Sequence, residues 1–159
     1  MTNTIKDLLG GDSLSNLVGS SVSEGAVYRM NLGVEEKIIP KAGDFSRNKF
    51  FVVIGSDDEG NAFGFFVIDT KINENIPKVR QERHYKLESS KYGFLEGVDR
   101  YVDCSDFKKI DKLKFSNKFD ASKHKGIIDS TDLNNIKALA ITYRNANKKL
   151  LKRFGLIKY

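Results

Sequence analysis

The sequence predicts a mainly β fold: a small, strongly bent antiparallel barrel carrying one long helix at its C-terminal end. Three observations predict it. "AVYRMNL" (26–32) alternates apolar and polar residues, the period of a half-buried strand. "FFVVIG" (50–55) and "FGFFVIDT" (63–70) are unbroken apolar runs rich in β-branched and aromatic residues, joined by the turn-forming "SDDEGNA". Only past residue 129 does the apolar spacing become helical.

The 159 residues suit one domain with one core, and 40% hydrophobic with 30% charged content is the composition of a globular protein. The longest apolar runs fall far short of the roughly 20 residues that a membrane span requires, so no membrane partner is expected. "MTNTIKDLLGG" has neither the basic start nor the apolar core of a secretion signal. A single cysteine, Cys104, cannot build a disulfide framework and agrees with a reducing cytoplasm. Two histidines and one cysteine do not supply a zinc ligand set, and no metal or cofactor is expected. The net charge of +6 favours polyanionic partners, nucleic acid first, although lysine-rich surfaces also serve solubility.

Residues 1–24 are Ser/Gly-rich and read as a flexible N-terminal arm, with room for a short helix at "TIKDLL"; residues 25–159 form the barrel domain with its helix. After the first strand, "GVEEKIIPKAGDFSRNK" (33–49) reads as a long charged loop, the kind that serves binding. Beyond the central hairpin, "KINENIPK" is a polar loop and "RQERHYKLE" an amphipathic segment with Tyr85 and Leu87 on one face. In "SKYGFLEGVDRYVDCSDFKKIDKLKF" (90–115) a Tyr92-Gly93-Phe94 turn leads into a strand. There Val102 and Cys104 share one face, and Tyr101 and Asp103 the other. "CSDF" breaks the alternation and predicts a bend or bulge before "FKKID" resumes as a short strand. The helix is drawn by Leu133, Ile136, Ala140, Tyr143 and Leu150, with Ser130 as N-cap. Asp132 suits its positive start, Lys148, Lys149, Lys152 and Arg153 its negative end, and Gly155 its stop.

Taken in order, these segments resemble the MazF/PemK family of toxin endoribonucleases. "GAVYRMNL" is similar to the family's opening strand, and "SRNKFFVVIGSDDEGNAFGFFVIDTKI" to its central hairpin. "HYKLESSKYGFLEGVDRYVDCSDFKKIDKLKF" is similar to its later half, and "KGIIDSTDLNNIKALAITYR" to the start of its closing helix. The resemblance implies an SH3-like barrel of the MazF/PemK/CcdB kind and a homodimer in the cytoplasm. It further implies a single-stranded RNA substrate, a cognate antitoxin protein as inhibitor, and no cofactor. The implied reaction is metal-independent cleavage in which the ribose 2′-OH attacks the adjacent phosphate. That chemistry needs a base, an acid and fixed donors for the extra negative charge.

Carried over residue by residue, the resemblance marks a candidate site. The family's arginine-proline pair is replaced by Lys49-Phe50, with Arg47 two residues earlier; a lysine lacks arginine's bidentate fork. Arg47 and Lys49 are candidate phosphate contacts, or else solvated residues at a strand entry. Thr70, closing "VIDT", matches a threonine that orients the scissile phosphate, or else serves β propensity alone. His84 is a candidate proton shuttle and His124 a weaker one; either can equally be a polar surface residue. Arg80, Arg83, Lys86, Lys91 and Tyr92 are candidate RNA contacts by phosphate pairing and base stacking, or else an ordinary solvated face with Tyr92 buried. The missing pair also opens an alternative function: a catalytically degenerate barrel that binds RNA or a protein partner without cleavage.

Overall fold

The computed structural model describes residues 22–33, 36–38, 46–119 and 121–157. The expected N-terminal arm lies almost entirely outside the described residues, as does most of the first long loop. Among the described residues, seven strands form one antiparallel sheet: β1 (Ala26–Gly33), β2 (Ser46–Ser56), β3 (Ala62–Asp69), β4 (His84–Leu87), β5 (Arg100–Asp103), β6 (Lys108–Asp111) and β7 (His124–Ile127). Four short α-helices among the described residues accompany them: α1 (Lys78–Gln81), α2 (Lys112–Lys118), α3 (Ser130–Ile141) and α4 (Lys148–Arg153).

The strands lie in the order β4-β5-β3-β2-β1-β7, with β6 beside β5 on the same edge of β3. The sheet curls strongly into a half-barrel. The expected hairpin is β2–β3, with Phe50 opposite Ile68 and Val52 opposite Phe66. A register shift between Val53 and Gly55 adds the local twist that such curling needs. β2 begins at Ser46, earlier than the loop reading allows, because Arg47 to Lys49 pair with Leu32 to Met30 of β1.

The predicted break at 104–107 is present. β5 pairs with the end of β3 (Ile68↔Val102) and β6 with its beginning (Phe65↔Lys108). Val102 and Cys104 are buried on one face, as their spacing predicts.

Both faces of the sheet are covered, which explains why β2 and β3 read as continuous apolar runs. One layer joins Phe50, Val52, Ile54, Phe66 and Ile68 to Val102, Leu87 and Ile136 of α3. The other joins Tyr28, Met30, Phe51, Val53 and Phe65 to Ile110 and Phe115 of α2. Removing such side chains from water stabilises the fold by about 1.5–3 kcal/mol each.

The C-terminal helix departs from expectation. It is not one long helix: α3 ends at Ile141 and α4 begins at Lys148. Thr142 turns its hydroxyl back onto the Ala138 carbonyl at 2.8 Å, and Asn147 N-caps α4 by accepting from the Leu150 amide at 3.1 Å. The interruption lets Tyr143 bury at the end of α3 while Leu151 and Phe154 bury separately. The N-cap of α3 is Asp129, not Ser130; its carboxylate accepts from the Asp132 amide at 2.8 Å. Gly155 does stop α4. With φ +77° it allows a paired turn in which its own amide donates to the Lys152 carbonyl and that of Leu156 to the Leu151 carbonyl. Among the described residues no helix is long and apolar enough to cross a membrane.

Candidate functional site

The start of β2, the end of β3 and the following loop diverge to leave a cleft of about 980 Å³. Arg47 and Lys49 of β2, and Thr70 just past the end of β3, all line it. Arg47 and Lys49 reach it from one face of β2. Along β2, Phe50 belongs to the layer under α3 while Phe51 belongs to the opposite one. Alternation therefore sets Arg47 and Lys49 on the Phe51 side and Asn48 on the Phe50 side. The cleft wraps this end of the sheet, so its wall takes residues of both faces.

Lys49 is ion-paired with Asp69, its neighbour across the β2–β3 ladder, and only 14% of its side chain is exposed. Its ammonium therefore enters the cleft already balanced by a carboxylate. Arg47 has no ion-pair partner among the described residues. Among the described residues, Asp69 and Glu74 are the carboxylates of the lining, and Asn73, Asn75 and Gln81 add amides.

Two further arginines line the cleft that sequence reasoning missed. Arg29, directly opposite Phe50 in the β1–β2 register, places its guanidinium carbon 4.9 Å from the centroid of the Phe50 ring. Arg100 of β5 approaches the same ring to 4.6 Å and is buried. The signal was present in the alternation. Arg29 has the parity of Val27, and Arg100 that of Val102 and Cys104, so both stand where an apolar residue would face the core.

The other marked residues lie elsewhere. His84 is not a cleft residue: its Nδ1 sits 3.0 Å from the Arg80 carbonyl, its Nε2 3.7 Å from Asp103, and its side chain is 3% exposed. Arg80 donates to Ser105 Oγ at 2.9 Å and pairs with Asp103 at 3.4 Å. Arg83 holds Thr142 through its hydroxyl at 3.1 Å, bracing the end of α3. Lys86 makes an exposed pair with Asp99. His124 is exposed on β7, edge-on to Tyr28.

Lys91 and Tyr92 belong to a polar cluster at the start of α3. Asp132 accepts from the Tyr85 hydroxyl at 2.6 Å, from the Tyr92 hydroxyl, and from Lys91 at 3.0 Å; Lys91 also pairs with Asp129. Burial opposes the ionisation of Asp132, but the hydrogen bonds from Tyr85, Tyr92 and Lys91 outweigh it and hold its carboxyl below the ordinary range. Burial pushes the Tyr92 hydroxyl up to about 12, with the Asp132 charge adding to the rise. Tyr92 is thus a buried tether rather than an open stacking platform.

Cys104 is buried and its thiol is pushed upward by burial, an inert environment. Among the described residues no group of three or more His, Cys, Asp or Glu side chains is placed to hold a metal ion. No protein-family model matches the chain, and no curated protein does.

Proposed function

We propose that the protein is the toxin component of a toxin–antitoxin pair, a MazF/PemK-like barrel that cuts single-stranded RNA in this cleft without a metal ion. One observation carries the reading: Lys49 and Thr70, which match positions of the family pattern, and Arg47, a stand-in for the family's arginine, line a single open cleft at one end of the sheet. In this reading Arg47 and Lys49 contact the backbone phosphate and the Thr70 hydroxyl orients it. The 2′-OH attacks the adjacent phosphorus, its proton passes to a base, and the 5′-oxygen leaves with a proton. The base comes from the cleft's own carboxylates, Asp69 or Glu74, since His84 is held against the Arg80 carbonyl. The same reading makes the protein a cytoplasmic homodimer neutralised by a cognate antitoxin.

A second reading is favoured by a specific contact. Lys49, standing where the family has its arginine, is neutralised by Asp69. A barrel so altered binds RNA, or a protein partner, without cutting.

Incubating a long RNA with the protein in EDTA separates the two. The nuclease reading expects discrete products from the wild type, a loss of about 10²-fold in rate for Arg47→Ala and Thr70→Ala, and growth arrest when the protein is expressed alone. Salt-sensitive RNA binding with no products at any enzyme concentration sinks that reading and selects the second.

A further inference from the structure

Arg29 and Arg100 carry charge that the carboxylates among the described residues leave uncompensated. Arg29 Nε is buried without an acceptor, and among the described residues neither arginine has an ion-pair partner. Arg100 is 9% exposed, yet the hydrogen bond it makes is from Nε to the Leu95 carbonyl at 3.4 Å. Its two terminal nitrogens find no acceptor among the described residues. The Phe50 ring attracts both cations, but a ring face does not replace oxygen acceptors for the five N–H donors that each guanidinium carries. A buried donor without an acceptor is unfavourable, and an anion from solution relieves it at Arg29 while meeting the cleft-lining guanidinium of Arg100. Among the other arginines, Arg80 has Asp103 and Arg153 has the fully buried carboxylate of Asp57, while Arg83, whose Nε is likewise buried without an acceptor, places its terminal nitrogens on the Thr142 hydroxyl and carbonyl. What sets Arg29 and Arg100 apart is that both line the cleft, which gives an anion its way in.

We infer that Arg29 and Arg100 form an oxyanion site for a phosphate group. The two guanidiniums come from β1 and β5, on opposite sides of β2, and each offers a planar fork of parallel donors. A tetrahedral phosphate has oxygens enough for both forks; a carboxylate, with two oxygens, serves one. The inference rests on the RNA reading for the source of the phosphate, a backbone phosphodiester, while free phosphate presents the same chemistry. It also assigns the uncompensated positive charge of the cleft to residues other than Lys49.

The test is calorimetric titration, at fixed ionic strength, with a single-stranded oligodeoxynucleotide lacking terminal phosphates and, separately, with pyrophosphate. The oligodeoxynucleotide has no 2′-OH and cannot be cut by the proposed chemistry. Arg29→Gln and Arg100→Gln each weaken binding by about tenfold or more, whereas Lys125→Gln, an exposed charge on β7, stays within about twofold. Because Arg100 is buried and its variant can fail to fold, wild-type protein is also treated with phenylglyoxal. Bound oligodeoxynucleotide or pyrophosphate then shields Arg29 and Arg100 from modification, read by mass spectrometry. Binding unchanged in both variants, or shielding that spares neither arginine, overturns the site. Binding of the oligodeoxynucleotide alone assigns it to the phosphodiester, and binding of pyrophosphate alone keeps the site but detaches it from RNA. RNA cleavage with phosphate binding intact in both variants removes this inference and leaves the nuclease reading. Phosphate capture without cleavage does the reverse.

Discussion

Asp132 gathers two tyrosine hydroxyls and a lysine at the first turn of α3, and its titration ties the helix to the sheet. Its folded-state carboxyl, like those of Asp57 and Asp129, lies below the unfolded value of 3.8. The stabilisation they give is therefore complete above that value and is lost as pH falls through their lower folded values. Tyr92 works at the other end. Raised from 10.0 to about 12, it contributes stability that is full below the unfolded value and is lost as pH rises toward the folded one. Thermal unfolding followed from about pH 3 to about pH 12 should fall at both limbs, and Asp132→Asn should flatten both. At neutral pH Tyr92→Phe should cost about 1–2 kcal/mol in urea unfolding, because it also leaves the Asp129 amide without its 3.0 Å acceptor. Little of this was legible in sequence. Tyr92 and Lys91 read as parts of a basic, aromatic face, and their partners lie some forty positions away. Arg29 and Arg100 escaped notice because a polar residue in an alternating strand reads as solvent-facing unless the parity of each face is followed separately.

At the level of elements, strand periods were the readable part. The β2–β3 hairpin and the break before β6 are where alternation and turn residues put them, since both depend on neighbours in sequence. The split of the C-terminal helix depends on docking. Leu133, Ile136 and Ala140 pack in one layer, while Phe154 packs against Phe107 with ring centroids 5.2 Å apart. One straight helix cannot serve both places. Asn147→Ala should therefore cost about 1 kcal/mol through lost capping, seen as a lower urea midpoint with an unchanged m-value. Gly64 belongs to the same docking. A Cβ built there lies 2.3 Å from the Phe107 ring and 2.9 Å from that of Phe154. Gly64→Val should destabilise by about 2–3 kcal/mol, and faster hydrogen exchange along α4 should report the displaced tail.

For the whole molecule, the half-barrel class was legible and the site only partly so. Arg47, Lys49 and Thr70 share a cleft while the other marked residues lie elsewhere, and two further arginines of its lining, Arg29 and Arg100, are residues that the resemblance left unmarked. A net charge of +6 attracts polyanions to the entire surface, so salt must separate general attraction from capture in the cleft. If Arg29, Arg47 and Arg100 carry the binding, log affinity for a single strand should fall against log salt with a slope of about −2, shrinking by about 0.7 with each arginine removed. The division of labour along β3 adds a mechanical consequence. One half of that strand's edge is tied to β6 and the tail beyond it, the other to β5 and so to Arg100. Residues 104–107 are thus a joint between two independently fastened parts, and lengthening or shortening them would move one guanidinium across the cleft mouth while the remainder of the sheet kept its alignment.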